Sequence, residues 1–134
     1  MNTHKTILVV EDDSDQRELI KLHLLNAGYM VHGVANGLQA AGYCLTSTPD
    51  LVISDVHMPH MSGFDMIRIL KTEPKLKDIP VIFLTVDEGG RSLGEGLGAI
   101  EYLAKPFKPA SLLMLVGKHL AGGKKKRAGQ PKAP

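Results

Sequence analysis

The chain has 134 residues, of which 43% are apolar and 22% are charged, and its formal net charge is +2. This length and apolar content suit about one globular domain, and the apolar runs are far shorter than the roughly 20 residues that a membrane-spanning helix needs. The single cysteine, Cys44, cannot form an intramolecular disulfide, and the amino terminus has no apolar region of secretory length. These features predict a cytoplasmic protein without a membrane segment.

Short apolar runs alternate with longer segments of helical period along residues 1 to 121, a pattern typical of α/β proteins. The first helix is expected to start at a cap formed by Asp13 or Ser14 and to end at Gly28, and Asp13 is interpreted as a cap rather than a ligand. The remaining helices are predicted over residues 39–46, 64–72 and 111–120. The strands are predicted over residues 6–10, 30–35, 51–54, 81–85 and 101–104. Together these elements predict a doubly wound, five-stranded parallel sheet.

Glycines fill the position at which a helix should stand between the last two strands. They are Gly89, Gly90, Gly94, Gly96 and Gly98. Each glycine in a helix interior costs about 1 kcal/mol relative to alanine, so a short, frayed or absent helix is expected there.

Residues 122–134 contain several lysines and an arginine but no acid and no large apolar residue. Such a segment cannot bury enough surface to offset its ordering entropy, which predicts a domain at 1–121 followed by a basic disordered tail at 122–134. Basic charges without aromatic residues give only weak, salt-sensitive attraction to phosphates. Nucleic acid is therefore not expected as a partner.

Polar side chains cluster at the points where the predicted strands end. Glu11 and Asp12 follow the first strand, Asp55 the third and Lys105 the fifth, and Thr85 ends the fourth. In doubly wound sheets, ligands bind in the crevice outside the carboxyl ends of the strands. A set of carboxylate oxygens suits Mg²⁺, and a metal, an ammonium and a hydroxyl together describe a site for a phosphoryl group.

Four motifs in order carry a resemblance to a known family: "ILVVEDD", "DLVISDVHMPHMSG", "IFLT" and "EYLAKPF". They resemble the response-regulator receiver domain of two-component signalling, over residues 5 to about 121. The resemblance implies a flavodoxin-like (β/α)5 fold with the strand order 2-1-3-4-5. It also implies a phosphoacceptor rather than an enzyme, with self-catalysed phosphotransfer and slow autodephosphorylation.

The same resemblance implies roles for individual residues. Asp55 matches the phosphoryl acceptor, and Glu11, Asp12, Asp55 and the backbone carbonyl of His57 match the ligands of Mg²⁺. Lys105 matches the ammonium that contacts the phosphoryl group. A carboxylate at the end of a rigid strand would then be a nucleophile held in line with a donor phosphohistidine.

Two further positions match the switch residues of the family, and one peptide bond matches a feature of its backbone. Thr85 matches the hydroxyl that moves after phosphorylation, and Tyr102 matches the aromatic side chain that changes rotamer with it. The bond between Lys105 and Pro106 matches a peptide bond that is cis in the family.

The partners implied by the resemblance are a sensor histidine kinase or a histidine phosphotransfer protein, and a downstream protein that the sequence does not identify. No output domain follows the receiver motifs, so a stand-alone regulator is expected. An interaction module without phosphorylation is the alternative, and a flavin-binding flavodoxin is disfavoured by the acidic crevice. His57 and Asp87 either form an ion pair that tunes phosphoryl lifetime near neutral pH or act as independent side chains.

Overall fold

The structure is a computed structural model, and it describes residues 5–86 and 98–121. The described residues do not include the glycine-rich stretch apart from Gly98, the basic tail, or Asp87, whose pairing with His57 was one of two alternatives. In the two described ranges, no helix has both the length and the apolar content needed to cross a bilayer.

Five parallel strands form one sheet in the order β2-β1-β3-β4-β5, which confirms the predicted fold class and strand order. The central strands β1, β3 and β4 are nearly continuous apolar runs whose residues are buried almost throughout, because helices cover both faces of the sheet. The strands are β1 (Thr6–Val10), β2 (Met30–Val34), β3 (Leu51–Asp55), β4 (Val81–Thr85) and β5 (Glu101–Ala104).

Four helices lie within the described residues: α1 (Ser14–Asn26), α2 (Gly37–Thr46), α3 (Gly63–Lys71) and α4 (Pro109–Ala121). The Asp13 side chain caps α1 by accepting from the backbone N–H of Gln16, as predicted. Gly28, just after this helix, has a φ of 101°, a left-handed conformation that glycine adopts without steric cost. The predicted starts of α2 and α4 were each two residues late, because Asn36 caps α2 and a proline is tolerated at the first position of α4.

The sheet separates two apolar clusters. One contains Phe83 and Tyr102 together with residues of α2 and α3, and the other is built around α1 and α4. Cys44 is fully buried in the first cluster, and burial raises the pKa of its thiol to about 11. The carboxyl ends of the strands thus emerge from a packed interior.

Candidate functional site at the carboxyl edge of the sheet

Three carboxylates meet where β1 and β3 end. Glu11 directly follows β1, Asp12 comes next, and Asp55 is the last residue of β3; each offers an oxygen within 4.8 Å of the others'. Parallel pairing of β1 with β3 brings the two strand ends to the same edge of the sheet. Glu11 is only 2% exposed and Asp55 is 9% exposed, whereas Asp12 is exposed. The structure therefore brings together the three acidic side chains that the sequence predicted to converge.

One ammonium group lies among these carboxylates. The Nζ atom of Lys105 is 3.0 Å from Oε1 of Glu11 and 3.4 Å from Oδ2 of Asp55, and the lysine side chain is 14% exposed. Burial alone would lower the pKa of Lys105, but the two carboxylates outweigh it and raise that pKa above its ordinary value. Lys105 is thus a fixed positive charge at the site.

Glu11 is the most buried carboxyl group of the cluster. Burial raises its pKa above the ordinary value, and the negative charge of Asp55 acts in the same direction. The hydrogen bonds that Glu11 accepts from Lys105 and from the backbone N–H of Asp13 lower the pKa, but they do not compensate. Burial therefore disfavours the charged form of Glu11 more than its hydrogen bonds favour it.

The first turn of α1 supplies contacts that the sequence interpretation missed. Gln16 accepts a hydrogen bond of 3.0 Å from Nζ of Lys105, and a guanidinium nitrogen of Arg17 donates to the backbone oxygen of Glu11 at 2.7 Å. The capping role of Asp13 was a usable signal, because it places the side chains of the next turn beside the end of β1.

Thr85 and Tyr102 lie on the strands beyond the acidic cluster. Thr85, the last residue of β4, is fully buried, and Tyr102 on β5 is 5% exposed. Register pairs Thr85 with Ala104 and Phe83 with Tyr102, so the Thr85 and Tyr102 side chains share one face of the sheet. The Tyr102 ring packs edge-on against Phe83, with 5.5 Å between ring centroids.

The loop after β3 passes close to Asp55. His57 lies in this loop with an exposed side chain, and His60 has a positive φ of 71°. Gly63 starts α3 so near to the strand end that a Cβ atom there would lie 2.6 Å from the backbone oxygen of Asp55. Only a glycine fits this position without displacing the strand end.

The loop after β5 is joined to β4. The backbone N–H of Lys105 donates to the carbonyl of Thr85 at 2.8 Å, and the Lys105–Pro106 peptide bond is cis, as the resemblance implied.

The donor chemistry of the cluster fits a hard divalent cation. All three side chains offer oxygen, the ligand that Mg²⁺ prefers, and they leave positions for water, which Mg²⁺ retains. Burial is the main cause of the raised pKa of Glu11, and a cation would relieve the smaller contribution that comes from repulsion by Asp55.

A partly apolar groove of about 400 Å³ begins beside Lys105 and runs along α1. Leu19, Ile20 and His23 line one side of it, and Pro106 and Phe107 line the other. Leu19 is 54% exposed, so the groove presents apolar surface next to the charged site.

A strand order of this kind with acidic side chains at the carboxyl edge is the arrangement of the receiver class of flavodoxin-like proteins. Residues 7–117 match the response regulator receiver domain, and the chain belongs to this family. Receiver domains are signalling phosphoacceptors that are phosphorylated on an aspartate by histidine kinases. The family that the sequence motifs resemble is thereby confirmed as the family of this chain.

Named relatives and solved structures agree with this assignment. The transcriptional regulatory protein GltR of Pseudomonas aeruginosa is 38% identical over 111 residues, which cover 81% of this chain and 46% of GltR. The chemotaxis response regulator CheY4 of Vibrio cholerae superimposes with a TM-score of 0.81 at 31% identity, over 85% of this chain and 97% of that chain. The receiver domain of the sensor histidine kinase PA1611 of P. aeruginosa superimposes with a TM-score of 0.82 at 30% identity, over 87% and 98% of the two chains, and that structure has a magnesium ion coordinated in its active-site cleft.

This chain spans about half the length of curated regulators such as GltR. Several of these relatives are named as transcriptional regulators, so the expectation that nucleic acid is not a partner stays a prediction.

Proposed function

We propose that this receiver domain accepts a phosphoryl group on Asp55 from a phosphohistidine of a sensor histidine kinase or phosphotransfer protein. The observation that carries the proposal is the placement of the Asp55 carboxylate at the end of a buried strand, beside Lys105 at 3.4 Å and two further carboxylates. In the transfer, a carboxylate oxygen of Asp55 forms a bond to phosphorus while the bond between phosphorus and the donor imidazole breaks.

Glu11, Asp12 and Asp55, with the backbone carbonyl of His57, would hold Mg²⁺ beside the acceptor. The bound ion would supply positive charge that offsets the repulsion between the acceptor and the phosphoryl group. Lys105 adds a second positive charge, which can contact a phosphoryl oxygen after transfer. Hydrolysis of the acyl phosphate by water would regenerate the carboxylate and release inorganic phosphate.

The donor protein docks along the groove between α1 and the loop after β5. This groove begins beside Lys105, so a partner seated in it would bring its histidine close to Asp55. Exposed Leu19 offers it apolar contact area.

Thr85 and Tyr102 act as the switch in this proposal. An acyl phosphate on Asp55 adds about one negative charge, which attracts the Thr85 hydroxyl and changes the space available to the Tyr102 ring. Support comes from the burial of both side chains on one face of the sheet and from the packing of Tyr102 on Phe83.

Incubation with acetyl phosphate and Mg²⁺, followed by intact-mass measurement, tests the proposal. The wild-type protein should gain one phosphoryl group, the gain should require the divalent ion, and Asp55→Asn should abolish it. Asp50→Asn is the matched control, because Asp50 precedes the same strand at its opposite end and accepts from the backbone N–H of Thr6.

A wild-type rate of phosphorylation in Asp55→Asn would reject the acceptor assignment. Complete absence of phosphorylation in the wild-type protein would favour the alternative of a constitutive interaction module.

A further inference from the structure

A closed ring of hydrogen bonds connects α1 to the acidic site. The backbone N–H of Asp13 donates to Oε2 of Glu11 at 3.2 Å, and the backbone N–H of Gln16 donates to Oδ1 of Asp13 at 2.9 Å. Nζ of Lys105 then donates to Oε1 of Gln16 and to Oε1 of Glu11, both at 3.0 Å. The Gln16 side chain is therefore not an isolated surface amide, because its backbone and its side chain are both tied to the site.

The ammonium of Lys105 has three protons, and three acceptors surround it: Glu11, Gln16 and Asp55. Two of these acceptors are carboxylates of the acidic cluster, and the third is a neutral amide at the exposed rim. The contact with Asp55 is the longest of the three, at 3.4 Å. The ammonium therefore lies closer to Glu11 and to the amide at the rim than to the acceptor carboxylate.

We propose that Gln16 is a positioning residue for phosphoryl transfer, which holds the Lys105 ammonium at the rim where the incoming phosphoryl group arrives. This inference rests on the proposed function of Asp55. Without the amide oxygen, the ammonium would settle between the carboxylates of Glu11 and Asp55, since ion pairs in a partly buried site are strong. It would then shield the nucleophile and compete with the divalent ion for the same oxygens.

Two substitutions of Gln16 separate its hydrogen bond from its shape. Gln16→Met keeps the length of the side chain but removes the acceptor, while Gln16→Glu keeps an acceptor at the same distance. Glutamine, methionine and glutamate have similar helix propensities, so α1 should be preserved in both variants. Gln39→Met is the matched control. Gln39 is an exposed glutamine in the first turn of α2, and it accepts a hydrogen bond from the backbone N–H of Ala35. It takes no part in the ring of hydrogen bonds that contains Lys105.

The rate of phosphorylation by acetyl phosphate at saturating Mg²⁺ is the first measurement. We expect Gln16→Met to be about fivefold slower, which corresponds to the loss of one hydrogen bond worth about 1 kcal/mol. Gln16→Glu should stay within about twofold of the wild type, and Gln39→Met should match it. In a Lys105→Met background, Gln16→Met should cause no further slowing, because its effect passes through the ammonium.

The second measurement needs no phosphorylation. In a ¹H–¹⁵N spectrum of the lysine ammonium groups, Lys105 should give a slowly exchanging signal, because three hydrogen bonds and low exposure protect its protons. This signal should persist in Gln16→Glu and be lost in Gln16→Met.

Three kinetic results would overturn the inference: a wild-type rate in Gln16→Met, equal slowing in both Gln16 variants, or the same slowing in the Lys105→Met background. An ammonium signal that is absent from the wild-type protein or unchanged in Gln16→Met would also overturn it. If the wild-type protein accepts no phosphoryl group, the proposed function fails, and the ammonium signal alone then decides whether Gln16 holds Lys105.

Discussion

Two glutamates at opposite ends of the sheet differ in how their charge is balanced. Glu11 lies at the carboxyl end, where burial raises its pKa and the nearby Asp55 adds repulsion. Glu101 is the first residue of β5, at the amino end, where His119 and Lys118 lie 2.9 and 3.0 Å from Oε2. The hydrogen bond with His119 lowers the pKa of Glu101, and Lys118 acts in the same direction.

The two ends of the sheet therefore differ in how far the fold itself compensates their carboxylate charges. The helix that returns to the amino end carries basic groups in its last turn, so the charges there are satisfied within the fold. At the carboxyl end, three carboxylates lie close together and one lysine pairs with two of them, and this arrangement costs stability unless a cation offsets the excess negative charge. Variants that change one end at a time can test this contrast.

The largest difference in the free energy of unfolding is expected between Lys105→Met and Lys118→Met. Removal of Lys105 leaves two largely buried carboxylates without their cation, so the free energy of unfolding should fall by roughly 3 kcal/mol in metal-free buffer. The Lys118 side chain is 64% exposed, and its loss should cost less than about 1 kcal/mol. Urea unfolding with a chelator measures both values.

Saturating Mg²⁺ should recover part of the stability lost in Lys105→Met, because an ion bound only by the folded state stabilises it. Equal losses for the two lysine variants would contradict the contrast between the ends.

Alanine substitutions of glycines at the two ends of the sheet should give the next largest change in stability. A Cβ atom at Gly63 would lie 2.6 Å from the backbone oxygen of Asp55 and 2.7 Å from the ring of Phe83, so Gly63→Ala should destabilise the fold by about 2 kcal/mol. A Cβ atom at Gly117 in α4 would meet nothing within 4 Å, so Gly117→Ala should stabilise the fold by about 0.5 to 1 kcal/mol. Thermal unfolding of the two alanine variants should shift in opposite directions.

Gly63→Ala should also slow phosphorylation, because the added Cβ atom would displace the end of β3, which carries Asp55. A wild-type melting temperature in Gly63→Ala would show that the loop after β3 can move without disturbing the site.

The central strands were predictable because burial on both faces leaves a nearly continuous apolar run. The predicted limits of β1, β4 and β5 agree with the structure, and β3 extends one residue further, onto Asp55 itself. The start of α3 was predicted one residue late, because glycine disfavours helix interiors, whereas the Ser62 capping box fixes the first turn. Local chemistry therefore determined most element boundaries.

The contacts within the site were predictable only in part. The positions of Glu11, Asp55 and Lys105 at strand ends follow from the alternation of strands and helices, but the order of the strands came from the resemblance and not from periodicity. The bond between Lys105 and Gln16 joins residues that are 89 positions apart, and it forms only when the loop after β5 closes against α1. No local pattern encodes such a contact.

A smaller change in the free energy of unfolding is expected from substitutions of Asp50, which precedes β3, and of Asp55, which ends it. Asp55→Asn removes one of the mutually repelling carboxylates while Lys105 keeps Glu11, so the free energy of unfolding should rise by about 1 kcal/mol in metal-free buffer. Asp50→Ala deletes the acceptor of a 2.8 Å hydrogen bond from the N–H of Thr6, so it should lower the free energy of unfolding by about 1 kcal/mol. Destabilisation by Asp55→Asn would show that its charge is fully compensated without a bound ion.

The smallest predicted effect is the opposite response of the two glutamates to acid. The lowered pKa of Glu101 means that its contribution to stability is present above its ordinary value of 4.5 and is lost as the pH falls through the lower folded value. The raised pKa of Glu11 has the opposite sign, since the cost of its charge disappears as the pH falls through the folded value toward 4.5. Between about pH 7 and pH 3.5, Glu101→Gln should lose less stability than the wild type, and Glu11→Gln should lose more.

Between these two pH values, the stability lost by Glu101→Gln should differ from that lost by the wild type by about 0.5 kcal/mol. The difference is small because the pairing of Glu101 with Lys118 and His119 is partly exposed and screened by salt. Urea midpoints of the three proteins, measured at both pH values with a chelator, give the comparison directly. High salt serves as the control, since it should reduce the effect at Glu101 more than the effect at the buried Glu11. Shifts of the same sign in the two variants would mean that the carboxyl end compensates its charge as fully as the amino end does, and the contrast between the two ends would then have to be abandoned.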